Sequence, residues 1–108
     1  MDVKTLRDAR RFSAEKMVKA SVYATERLYY DVYCLEPGQA QKVHAHDASD
    51  KVYLVLDGKA VITLAGEERE LGPEDAVLCP AGSPHGVRND SGERAALLVV
   101  TTLPPAPR

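Results

Sequence analysis

Two stretches decide how this chain is read. Gly38-Gln39-Ala40-Gln41-Lys42-Val43-His44-Ala45-His46 carries two histidines one residue apart. Pro80-Ala81-Gly82-Ser83-Pro84-His85-Gly86-Val87-Arg88-Asn89 carries the third, and the 108 residues hold no other. Residues two apart on an extended strand point to the same face. His44 and His46 on a strand therefore stand side by side, close enough to share one ion. A neutral imidazole nitrogen suits Zn, Fe, Mn, Ni or Cu. His-x-His alone is a weak signal, because packing and surface histidines take the same spacing, so the surroundings must decide.

Outward from these stretches the texture is that of β-structure. Segments rich in Val, Leu and Tyr recur at Ser21–Thr25, Arg27–Leu35, Gln41–His46, Lys51–Leu56 and Lys59–Ala65. Further ones follow at Arg69–Leu71, Asp75–Cys79, His85–Arg88 and Ala95–Thr102. Turn signals separate them: Glu36-Pro37-Gly38, Asp57-Gly58, Gly66-Glu67, Gly72-Pro73-Glu74, Pro80–Pro84 and Asn89–Gly92. Asp57-Gly58 reads as a two-residue hairpin with positive φ at both positions. About nine short strands with no room for crossover helices predict an all-β antiparallel sandwich or small barrel. Residues 1–20 are polar and basic-leaning. They form an arm that packs weakly, holds one short helical turn or pairs with a partner chain. The proline-rich tail, residues 104–108, cannot join a sheet.

The two histidine stretches resemble the paired motifs of the cupin superfamily. The first family motif is Gly-x5-His-x-His-x3–4-Glu-x6-Gly, matched by Gly38, His44, His46 and Gly58. The second is Gly-x5-Pro-x-Gly-x2-His-x3-Asn, matched by Pro80, Gly82, His85 and Asn89. The resemblance covers about residues 21–103 and is to short, single-domain bacterial cupins. It implies one jelly-roll β-barrel. It also implies that His85 lies on a strand beside His44 and His46 and completes a three-nitrogen face for one divalent transition metal. Asn89 suits the turn that follows, since Asn tolerates left-handed backbone angles.

The match breaks at the family's glutamate ligand. Lys51 stands there by one spacing and Asp50 by the shorter one. A protonated lysine has no lone pair to give. Three readings stay open: Asp50 takes the fourth position if a bulge re-aims it, the three histidines act with open, water-filled positions, or Lys51 repels the metal. The second is preferred, because three-histidine cupin sites exist. With neutral ligands only, a divalent ion keeps its full charge and favours an anionic ligand. Lys51, if it points inward, adds to that pull, and Tyr53 shares its strand face. In the second motif Glu74 replaces the first glycine, whose role is only to shape a turn.

Composition excludes several classes of function. A net charge of −2 and no basic stripe argue against nucleic acid. No apolar run approaches the ~20 residues that span a membrane. The first residues lack the apolar stretch of a signal peptide, so a cytoplasmic location is expected. Cys34 and Cys79 read as buried, reduced thiols. Nucleophilic hydrolysis has no support, since phosphate loop, Gly-x-Ser-x-Gly elbow and paired carboxylates are all missing. The expected functions are a metalloenzyme of dioxygenase, isomerase or lyase type acting on a small anion, or a non-catalytic ligand-binding cupin. Uncovered sheet edges and the arm suggest a homodimer.

Overall fold

The computed structural model describes residues 1–104; the greater part of the expected frayed tail, residues 105–108, lies outside the described residues. Nine strands form: β1 (Val18–Ala24), β2 (Leu28–Leu35), β3 (Ala40–His44), β4 (Lys51–Asp57), β5 (Ala60–Leu64), β6 (Glu67–Leu71), β7 (Ala76–Cys79), β8 (His85–Arg88) and β9 (Ala95–Thr102). They make a five-stranded sheet in the order β1-β2-β9-β4-β7 and a four-stranded sheet in the order β3-β8-β5-β6. Every pairing is antiparallel. The chain switches sheets repeatedly, as in a jelly-roll barrel. Among the described residues no helix is long and apolar enough to cross a membrane.

Strand alternation builds the core. On β4, Lys51, Tyr53 and Val55 point inward while Val52 and Leu54 are only half-buried. Tyr53, Val55, Leu97 and Val99 meet Ile62 and Val87 of the facing sheet in one apolar cluster. Cys79 belongs to this cluster and Cys34 to another, and both are free.

A second cluster lies on the outer face of the larger sheet. Val22, Val32, Cys34 and Ala96 are covered there by Leu6, Ala9 and Phe12 of the N-terminal arm. The arm contains one 3-10 turn, Leu6–Ala9, and is fastened at several points. Lys4 donates to the Val22 carbonyl at 2.7 Å, and the Tyr23 hydroxyl donates to the Asp2 carbonyl at 2.6 Å. Gln39 donates to the Ser13 carbonyl at 2.7 Å, and Arg10 pairs with Asp57. Because the arm covers that face, Val32 to Leu35 are buried without alternation. This explains why the inner face of β2 is illegible in the sequence: both faces are dry.

Three local expectations are corrected. Asp57-Gly58 is not a hairpin, because β4 and β5 belong to different sheets. Only Gly58 has positive φ (75°), and it carries the chain from one sheet to the other. The true two-residue hairpin joins β5 to β6 through Ala65 (φ 49°) and Gly66 (φ 83°), one residue earlier than the Gly66-Glu67 signal suggested. Asn89 is not left-handed. Its side chain is fully buried and spends every bond on the groups around it. It donates to the Leu35 and Glu93 carbonyls and accepts from the Ser91 amide and hydroxyl. Glu74, where the motif has glycine, does adopt positive φ (74°), so the turn keeps its shape with a residue that strains it.

The sheet switch gives a sharp test. A Cβ at Gly58 would lie 2.3 Å from the Arg94 carbonyl oxygen, whereas one at Gly66 meets nothing within 4 Å. Gly66→Ala should cost about 1–2 kcal/mol, the left-handed penalty alone. Gly58→Ala should cost clearly more, because backbone must also move. Urea denaturation of both variants reads the difference, and equal losses would contradict the close approach.

Candidate metal centre

The three histidines converge at one end of the barrel. Their ligand nitrogens all lie within 4.8 Å of one another. Ring centroids are 4.8 Å apart for His44 and His46, and 4.5 Å for His44 and His85. Metal–nitrogen bonds of about 2.1 Å require the trio to draw in slightly around an ion. His85 is 1% exposed, His44 half-buried and His46 exposed, so the trio faces outward from the core.

One irregularity brings His44 opposite His85. Gln41 pairs with Val87 and His44 with His85, so β3 spends three residues where β8 spends two. The extra residue is a β-bulge at Lys42-Val43. It leaves Val43 54% exposed and turns both Gln41 and His44 inward. Gly86 permits the approach: a Cβ there would meet the Gln41 carbonyl oxygen at 3.0 Å and the Val43 Cα at 3.1 Å. His46 lies beyond the last residue of β3. Its carbonyl accepts from the Gly82 amide at 2.8 Å, which ties it to the turn carrying His85.

The ring nitrogens are sorted by their partners. Nδ1 of His44 is 2.8 Å from the Lys42 carbonyl, and Nδ1 of His85 is 2.9 Å from the Ser83 carbonyl. A carbonyl only accepts, so both Nδ1 atoms carry the proton and both Nε2 atoms keep a lone pair. Nε2 of His85 is buried and has no partner, the state of a ligand atom awaiting an ion. Burial, then the nearby Lys51 charge, holds both imidazoles below the usual histidine range, which favours the neutral form. The donor set therefore fits a borderline transition metal.

The other expected site residues divide. Asp50 does not join the trio. Its carboxylate accepts from the Ala81 amide at 2.9 Å, so it braces the Pro80–Pro84 turn, while its backbone pairs with Thr102. Lys51 does point inward and is 3% exposed. Tyr53 lies beneath, fully buried, 6.3 Å from the His85 ring between centroids, and its hydroxyl has no partner. Lys51, but not Tyr53, lines a cleft of about 510 Å³ that His46 also borders. Tyr33, Asp31 and Lys19, none of them a site candidate on sequence grounds, form its far wall. The one available signal for them was Asp31, a charge inside an apolar strand.

Lys51 is the anomaly of the site. Its Nζ is 3.5 Å from the Tyr33 hydroxyl and under 6 Å from the Tyr33 and Tyr53 ring centroids (5.7 and 5.8 Å). No carboxylate pairs with it among the described residues. Burial, with the Lys19 charge beside it, pushes the amine down to about 8. Burial likewise pushes the Tyr33 phenol up to about 12 and the Tyr53 phenol up further. At neutral pH the folded chain thus holds a charge it would hold more easily unfolded. Lys51→Met should therefore stabilise the protein by about 1–3 kcal/mol at pH 7. The wild-type penalty is fully present below the folded value of about 8 and is relieved as pH rises from there to the unfolded value near 10.5, so the advantage of Lys51→Met should narrow across that range. Denaturant midpoints from pH 7 to 10.5 check both statements, and a destabilised Lys51→Met at pH 7 would refute them.

Comparison with known proteins agrees with this fold. A family profile described as "Cupin domain" matches residues 31–101. A solved structure, TT1209 from Thermus thermophilus, is 51% identical with a TM-score of 0.93, covering 97% of this chain and 100% of that one. Beta-D-galactosidase Rv1717 of Mycobacterium tuberculosis is 34% identical over 82 residues, 76% of this chain and 70% of that protein. Quercetin 2,3-dioxygenase of Bacillus subtilis is 43% identical over 54 residues, 50% of this chain but only 16% of that enzyme. Motifs, jelly-roll topology and profile agree, and the chain belongs to the cupin superfamily.

Proposed function

We propose that this protein is a mononuclear metal-binding cupin that acts on a small anionic molecule in the manner of a dioxygenase, through His44, His46 and His85. The observation that carries the reading is the buried, unpartnered Nε2 of His85 beside the lone pair left free on His44. When bound, a divalent ion supplies Lewis acidity and, for a redox-active metal, electrons. The chain's own residues do the rest. The carbonyls of Lys42 and Ser83 fix the ring tautomers. Three neutral donors leave the ion's charge uncompensated, which favours an anion. The Tyr33 and Tyr53 rings and the apolar cluster below restrict water on the inner side. The partial identity to a dioxygenase supports the reaction class, and a site without a carboxylate in the trio suits oxygen chemistry or binding better than proton shuttling.

Elemental analysis of untagged protein tests the site. Stoichiometric Fe, Mn, Ni, Cu or Zn is expected, lost in both His44→Ala and His85→Ala. Protein that stays metal-free after soaking would sink the reading. Oxygen uptake with small thiols, diketones and phenols then separates enzyme from binder: ligand binding without turnover would assign the chain to the non-catalytic alternative.

We also infer a homodimer. β7 and β3 are free sheet edges, and each carries an exposed apolar side chain, Leu78 at 56% and Val43 at 54%. Light scattering should give twice the chain mass, and a monomer at high concentration would reject it.

A further inference from the structure

The inner face of the larger sheet changes character toward its mouth. Register places Tyr29, Thr101, Lys51 and Cys79 in one row across β2, β9, β4 and β7. Ser21, Asp31, Val99 and Tyr53 make the next row, and Lys19, Tyr33 and Leu97 the one after. The face thus stays apolar along β7 and most of β9 while β1, β2, the start of β4 and the end of β9 turn polar. The result is the cleft of about 510 Å³ between this face and His46.

Its charges do not cancel. Lys19 and Lys51 face Asp31, and neither lysine is within ion-pair distance of any carboxylate among the described residues. Lys19 sits 5.5 Å and Lys51 5.7 Å from the centroid of the Tyr33 ring. Lys51 is the unusual member, because it is only 3% exposed and has just the long contact to the Tyr33 hydroxyl. A buried ammonium without a counter-ion is costly, and a negative ligand beside it would relieve that cost. The hydroxyls of Ser21, Tyr33 and Thr101 offer further hydrogen bonds around the same space.

We propose that Lys51, with Lys19 and the Tyr33 hydroxyl, is an anion subsite that selects a small monocarboxylate and holds its carboxylate group beside the three-histidine centre. Two lysines against one aspartate leave a single net positive charge, which matches a monoanion. A phosphate dianion would bring a second negative charge against Asp31. The position that carries a glutamate ligand in the family motif thus supplies, in this chain, the counter-charge for a ligand. The inference rests on the proposed reading only in assuming an anionic ligand; the subsite is built from residues outside the trio and exists without an ion.

Metal-free protein therefore makes the test. Chelator-treated, 15N-labelled protein is titrated with pyruvate, lactate and salicylate, with lactamide and salicylamide as neutral controls and inorganic phosphate as the dianion. The carboxylates should shift amides of β2, β4 and β9 and bind at least tenfold tighter than their amides. Lys51→Met, with its fold checked in the same spectrum, should weaken carboxylate binding at least tenfold. Lys19→Met should weaken it several-fold, and Lys59→Met, an exposed lysine outside the cleft, should leave it unchanged. Equal binding of amides, unchanged affinity in Lys51→Met, or shifts confined to surface lysines would overturn the subsite. Tighter binding of phosphate than of any carboxylate would overturn the ligand class. A chain that fails to take up metal but passes these titrations would lose the metal reading and keep this one.

Discussion

The site depends on one extra residue in β3. Without the bulge at Lys42-Val43, strict pairing from Gln41–Val87 would set Val43 opposite His85 and turn His44 to the other face. The bulge reverses the parity, and the Lys42 carbonyl it frees accepts from His44 Nδ1. The same carbonyl thus fixes the ring's tautomer and its direction. Gly86 makes the arrangement possible, since any side chain there would push β3 away from the strand that carries His85.

Around that contact the barrel separates support from chemistry. The apolar cluster between the sheets is buried, and the trio sits where the barrel opens to solvent. The turn from Pro80 to Pro84 is held twice, by Gly82 to the His46 carbonyl and by Ala81 to the Asp50 carboxylate. Asp50 therefore braces the turn that precedes His85. Lys51, one position later, turns toward the cleft, because alternation sends it inward while Asp50 stays exposed. Its buried charge opposes folding.

The N-terminal arm illustrates a different dependence. Its few apolar residues, Leu6, Ala9 and Phe12, are too sparse to predict a packed element. Yet the outer face of β2 offers Val32 and Cys34, and the two sets complete one another. Arg94 closes the join with its guanidinium 4.5 Å over the Phe12 ring.

The strand number, most strand positions, the shared face of Lys51, Tyr53 and Val55 and the family were legible in the residue order, because these follow from alternation, turn residues and two spaced motifs; which way that face points was not. The residue order identified the three histidines for the same reason: their separation is a property of the chain. Tertiary structure alone decided the rest. Asp57-Gly58 looked like a hairpin and proved to be a change of sheet, since local turn chemistry does not say which strands pair. The bulge in β3 leaves no mark in residue types, and neither does the covering of β2 on both sides. The cleft of Lys19, Asp31, Tyr33 and Lys51 joins residues of β1 and β2 to one from the distant β4, and only cross-strand register puts their charges on one wall.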